Sequence, residues 1–146
     1  MVSWCEVWNQ SRKPWCDIGG GRPEQAESRL KTVAAGFKEA QAAMQWADAQ
    51  HGVARCLIDQ EKYTDALEAL SEIGPLRIRA RDRFGLIRVL TDQGRAYEGQ
   101  GALPKAFRSY CEAYIIADRM SLGLHLGPLQ VKLDELLPGF DKLPDQ

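Results

Sequence analysis

The side chains with chemistry to offer are two histidines, four cysteines, a few hydroxyls and a set of arginines. Their spacing decides which could act together. His51 and His125 have no histidine four residues on and no carboxylate cluster, so His51 reads as a groove or surface residue, not a general base. Cys5, Cys16, Cys56 and Cys111 form no CxxC pair and have no histidine at metal-ligand spacing, and they read as free thiols in a reducing cytosol. Ser109, Ser121 and Cys111 have no base at helical spacing, which leaves nucleophilic catalysis without support. Asp65, Glu68 and Glu72 share one helix flank with no histidine nearby and read as a polar outer face. Arg77, Arg79, Arg81 and Arg83 fan around a helix with Asp82 among them and read as a solvated helix start. Gly19-Gly20-Gly21 lacks the Lys-Ser/Thr that follows a Walker glycine. No acid–base pair, metal set or nucleophile can be assembled, so the expectation is a protein that is not an enzyme and holds no cofactor or metal. Arg55 and Arg95 are the pair whose spacing says most. They stand 40 residues apart, and guanidinium groups repeated along a wall suit carboxylate or phosphate.

The elements that would position them centre on Ile87 to Met120. Leu90, Gly94 and Tyr97 are spaced i, i+4, i+7, one face of a helix, and Ala106, Tyr110 and Ala113 repeat that spacing on a second. Glu98-Gly99-Gln100-Gly101 stops the first helix, and Pro104 suits the first turn of the next. Gly94, Ala106 and Ala113 are small where two axes must approach, and Tyr97 and Tyr110 fill the wedges between them. The pattern recurs every 40 residues. Ala26, Leu30 and Val33 match Ala66, Leu70 and Ile73, which match Ala106, Tyr110 and Ala113. Ala54 and Leu57 match Gly94 and Tyr97, with Leu137 at the next step, and Met44, Phe84 and Leu124 repeat at the junctions.

This spacing predicts helices over 23–35, 38–60, 64–73, 76–100, 104–120 and 122–137. Thr64 or Asp65 would cap the third, which would end at Ile73 with the fourth starting at Leu76, and Ser121 would cap the last. The expected fold is all-α, an α-solenoid of antiparallel helix pairs with about two and a half repeats and a closing helix. Residues 1–22 form a Trp-rich leader, 23–137 the repeat domain and 138–146 a tail or linker. Trp4, Trp8 and Trp15 would be costly if exposed. They read either as a cap over the open end of the array or as a partner-binding or homodimerisation surface.

Composition fits a soluble globular chain: 45% hydrophobic, 27% charged, net charge −1. No global pull toward nucleic acid or an anionic membrane is written in, and no apolar run approaches the roughly 18 residues of a membrane span. With no signal peptide read at the N-terminus, the expected location is cytoplasmic.

Leu90, Gly94, Tyr97, Ala106, Tyr110 and Ala113 resemble a tetratricopeptide repeat. Gln93 stands where that family usually has Leu, and Asp118 where it has Pro. At 40 residues the unit exceeds the family's usual ~34 and is similar to the longer-helix arrays of bacterial regulators and sensors. The resemblance implies that the first helix of each pair lines a concave groove for a protein or peptide segment. The groove residues would be Asp48, His51, Arg55 and Asp59, then Arg88, Thr91, Asp92, Arg95 and Glu98, with Lys132 on the closing helix. Arg55, Arg88, Arg95 and Lys132 would form a positive stripe, unless Asp59, Asp92 and Glu98 neutralise it. The function implied is a non-catalytic interaction module with no direct nucleic-acid or membrane partner. It would be the sensory or scaffolding part of a signalling or transcription-regulating protein, with a cyclase or DNA-binding output domain beyond Gln146. The alternatives are a small-molecule-sensing helical domain and a self-associating structural module.

Overall fold

The computed structural model of the chain describes residues 23–140, with side chains as far as 137. They form six helices: α1 (Pro23–Glu39), α2 (Ala43–Asp59), α3 (Tyr63–Arg79), α4 (Arg83–Gly99), α5 (Leu103–Arg119) and α6 (Gly123–Phe140). No strand occurs among the described residues. Three-residue turns join the helices, and within residues 23–80 and again within 81–140 consecutive helices pack against each other, consistent with a helical solenoid. The expectations for the Trp-rich leader and for the tail beyond 140 lie outside the described residues.

The helices start at residues 23, 43, 63, 83, 103 and 123, so the 40-residue repeat is two helix–turn steps of 20. Each turn places one residue in the left-handed region: Gln41 (φ 56°), Glu61 (61°), Arg81 (55°), Gly101 (73°) and Ser121 (56°). At four of the five turns the same two bonds close the preceding helix. After α2, for instance, Glu61 N–H donates to Ile58 O and Lys62 N–H to Leu57 O, the pairing that satisfies the last carbonyls of a helix. Only Gly101 has the residue type that adopts this conformation without strain. Glu61→Gly and Ser121→Gly are each expected to raise stability by about 0.5–1 kcal/mol, and Gly101→Ala to lower it by about 1 kcal/mol. Urea unfolding midpoints would check both signs.

Several expected boundaries are corrected. The first helix does not stop at residue 35 but runs through Gly36 to Glu39. Phe37 continues the buried face of Leu30, Val33 and Ala34, and its burial outweighs the roughly 1 kcal/mol penalty of a mid-helix glycine. The expected break at Gly74-Pro75 does not occur, and α3 continues to Arg79. Gly74 has no Cβ to clash with the proline ring, and Pro75 lies on an exposed flank, where the carbonyl it leaves unbonded can face solvent. Consequently α4 starts at Arg83, not at residue 76, and Asp82 caps it by accepting from Gly85 N–H at 2.9 Å. The arginine run is not a helix start: Arg77 and Arg79 end α3, Arg81 is in the turn and Arg83 opens α4. Neither Thr64 nor Asp65 is the cap of α3, which is Lys62, and Ser121 is a turn residue.

The chain divides into two compact units, Met1–Ala80 and Arg81–Gln146. In the first, α1 packs on α2 and α2 on α3. Gly52 admits the closest approach, since a Cβ there would lie 2.8 Å from Leu30 Cδ1. The Glu27 carboxylate links the same two helices, taking Lys31 Nζ at 2.6 Å and Gln60 Nε2 at 2.6 Å. Burial raises its pKa, but the bonds from Lys31 and Gln60 outweigh burial and leave it below the usual value. A lowered folded pKa stabilises above the unfolded value and loses that contribution as pH falls through it. The Glu27→Gln variant should therefore show a shallower loss of stability than the parent as pH falls below 4.5. Denaturant titrations on either side of that pH would check it.

In the second unit α4 packs on α5 and α5 on α6 around Ile87, Leu90, Ala106, Tyr110, Ala113, Ala117, Leu129, Leu133 and Leu136. The odd helices bury the same positions at each 40-residue step: Ala26, Leu30, Val33, Phe37; Ala66, Leu70, Ile73, Arg77; Ala106, Tyr110, Ala113, Ala117. The even helices differ among themselves. From Met44 to Ile58 only Asp48 is exposed, and from Gly85 to Glu98 nothing is. On α6 the positions matching Ile87, Leu90, Gly94 and Tyr97 are Gly127, Gln130, Asp134 and Leu137. All four are exposed, and Gln130 Nε2 donates to Asp134 Oδ1 at 2.9 Å.

Candidate functional site

The two units hold different halves of the expected groove set. In the first, Asp48 and Asp59 are exposed and Arg55 is half-buried. His51 was expected at a groove or surface and is instead 1% exposed, because it shares α2 with the run Gly52-Val53-Ala54 that is covered on every side. Asp48 has a structural partner. Arg77 Nη2 donates to its Oδ1 at 2.5 Å, and Arg77 occupies the core position that Phe37 and Ala117 fill one step away on either side. No sequence signal marked Arg77 as buried, since it stood in a basic run. The 40-residue step through Phe37 and Ala117 would have found it.

In the second unit Arg88, Thr91, Arg95 and Glu98 lie at i, i+3, i+7, i+10 along one flank of α4, each half-buried. Asp92 was expected among the exposed groove residues but is buried, and its Oδ1 takes Arg95 Nη1 at 3.2 Å. Glu98 Oε2 accepts from Tyr110 Oη at 2.8 Å and stands 3.5 Å from Lys132 Nζ, which also lies 3.4 Å from Glu135. Burial first, and then the Glu98 carboxylate, push the Tyr110 hydroxyl far above the usual range, so it remains a fixed donor. Thr91 Oγ1 donates back to Ile87 O at 2.7 Å. The expected positive stripe is therefore partly neutralised within the unit: Arg95 and Lys132 have acidic partners. Arg88 has no hydrogen bond or ion pair among the described residues.

Two ties hold α6 beside α4. The rings of Phe84 and His125 meet edge to face at 4.9 Å near the helix starts, and Lys132 reaches Glu98 further along. At the 40-residue step, the α6 positions matching Arg88 and Thr91 are Pro128 and Val131. Both are exposed, as is Leu124 one turn earlier at 93%. The result is a recessed polar flank on α4 with an exposed apolar flank on α6 in the same unit. Such a surface can take an extended or helical segment that offers an acidic group to Arg88 and apolar side chains to Leu124 and Val131.

Cys56 and Cys111 are free thiols. Burial, helped by Asp59 and Glu27, raises Cys56 to about 11, which leaves it protonated and unreactive at neutral pH. Among the described residues, no group of three or more His, Cys, Asp and Glu side chains is placed to hold a metal ion. No described helix is long and apolar enough to cross a membrane. Compared with known proteins, the sequence matches no family model and no curated relative.

Proposed function

We propose that this chain is a non-catalytic tetratricopeptide-like module that binds a protein or peptide segment along the α4–α6 flank of its second unit. The observation that carries the reading is Arg88: a half-buried guanidinium with no hydrogen bond or ion pair among the described residues, on a helix with no exposed residue from Gly85 to Glu98. A charge held in a recess without an acidic partner among the described residues favours an anionic partner group more than a freely solvated one does. Leu124 and Val131 add apolar area that stands in solvent at a cost unless covered. By resemblance to the long-helix bacterial arrays, the module would be the sensory or scaffolding part of a signalling or transcription-regulating protein in the cytoplasm. The free thiols at Cys56 and Cys111 fit a reducing compartment.

Selection from a random peptide display library against the whole chain tests the proposal. Enriched peptides are expected to combine one or two acidic residues with apolar neighbours. Arg88→Ala and Val131→Asp should each weaken their binding about tenfold by calorimetry, with thermal melts unchanged. Failure to enrich any peptide, or winners indifferent to both substitutions, would overturn it.

A further inference from the structure

The first unit contains a cleft that the peptide-binding reading does not use. The end of α1, the turn after it, the start of α2 and one residue of α3 enclose about 430 Å³, lined by Phe37, Lys38, Gln41, Ala42, Ala43, Trp46 and Glu72. That volume falls in the range of small-molecule sites, about 300–1,000 Å³. Its floor belongs to a small apolar cluster: Phe37 and Ala42 are buried with Val33, Ala34 and Ala49, and Trp46 packs half-buried against them. Its rim carries one charge of each sign. Lys38 and Glu72 are exposed, and neither forms an ion pair or hydrogen bond with its side chain among the described residues. Two of the turn's backbone donors are already used, Gln41 N–H on Lys38 O and Ala42 N–H on Phe37 O, which leaves the side chains and the first N–H groups of α2 for recognition.

We infer that this cleft is a binding site for a small zwitterion with an aromatic body, the chemistry of a free aromatic α-amino acid. The ring would lie on Phe37, Ala42 and Trp46. The ammonium would sit between the Glu72 carboxylate and the indole face, and the carboxylate would face Lys38. The lining argues against other classes. A phosphorylated ligand would meet Glu72 with only one lysine to offset it, and a fatty acid would leave Glu72 opposed to nothing. A sugar, with several hydroxyls to satisfy, would find only the Gln41 amide and the Trp46 indole N–H among neutral hydrogen-bonding side chains.

Calorimetric titration of the whole chain with four probes tests the inference: L-phenylalanine, phenylalanine amide, N-acetylphenylalanine and glycine. L-Phenylalanine should bind saturably, the two singly charged analogues about threefold to fivefold more weakly, and glycine not at all. Glu72→Gln should erase the advantage of phenylalanine over its N-acetyl form, and Lys38→Gln its advantage over the amide. Both residues are exposed, so both variants should fold as the parent does. Absence of saturable binding at millimolar phenylalanine would overturn the inference. So would equal binding of glycine or of either blocked analogue, or a ranking that both variants leave unchanged. None of these outcomes bears on peptide binding at Arg88, which is measured separately.

Discussion

Gly94→Ala should lower stability by about 2 kcal/mol, a fall of roughly 8 °C in the unfolding midpoint, although alanine is the better helix former by about 1 kcal/mol. An added Cβ would lie 2.6 Å from both Cε1 and Cζ of Tyr110. That ring is fully buried, and its hydroxyl is fixed on Glu98 at 2.8 Å, so it cannot swing aside. Gly94→Val should cost more, since its branched side chain must fit the same gap. The repeat supplies its own control. One 40-residue step earlier, the matching positions are Ala54 and Leu70, both fully buried. Combining Gly94→Ala with Tyr110→Leu should therefore recover much of the loss, even though the bond to Glu98 goes with the tyrosine. Calorimetric melts of the two single variants and the double variant would give the coupling between the sites. A double variant no more stable than Gly94→Ala alone would show that the two repeats do not share this packing solution.

Asp48→Asn should be the more damaging half of the second pair and Arg77→Met the milder half. Arg77 is 3% exposed at a position where the other odd helices bury Phe37 and Ala117. Removing the charge of Asp48 leaves a buried guanidinium without the carboxylate now 2.5 Å away. The Asp48 side chain is itself 56% exposed, which weakens the pair, so the expected loss is about 2 kcal/mol, below the 3–5 of a fully buried pair. Arg77→Met removes the charge and keeps much of the volume, and it should change stability by less than about 1 kcal/mol in either direction. Denaturant unfolding in low and high salt would separate the two. If Arg77→Met costs more than Asp48→Asn, the arginine is doing more in the core than occupying space beside a counter-charge.

The apolar register was legible in the sequence because it repeats: Ala26, Leu30 and Val33, with their counterparts at 40 and 80 residues on, are all buried. The Gly94–Tyr110 contact was also legible, since a small residue facing a bulky one at matched helical positions has few other meanings. The turns were not. Three of the four helix N-caps described are Ala42, Lys62 and Ala102, which make no side-chain capping bond, and four of five left-handed positions are not glycine. With those signals missing, Gly74-Pro75 looked like the break that Arg81-Asp82 supplies. The candidate site was legible as a set of positions but not as a state of charge. Position along α4 says that Arg88 and Arg95 share a flank. It does not say that Asp92 turns inward to hold one of them while the other has no acidic partner among the described residues.

The outer face of α6 bears on how such a chain can grow. Where α4 offers Ile87, Leu90, Gly94 and Tyr97 to its successor, α6 offers Gly127, Gln130, Asp134 and Leu137, two of them bonded to each other. An extra hairpin grafted behind α6 would find no dry seat there and would have to desolvate an amide and a carboxylate. One spliced in ahead of α6, in whole multiples of two helices, would meet the same partners its neighbours already meet. Lengthening by duplication is thus open on one side of this helix and closed on the other.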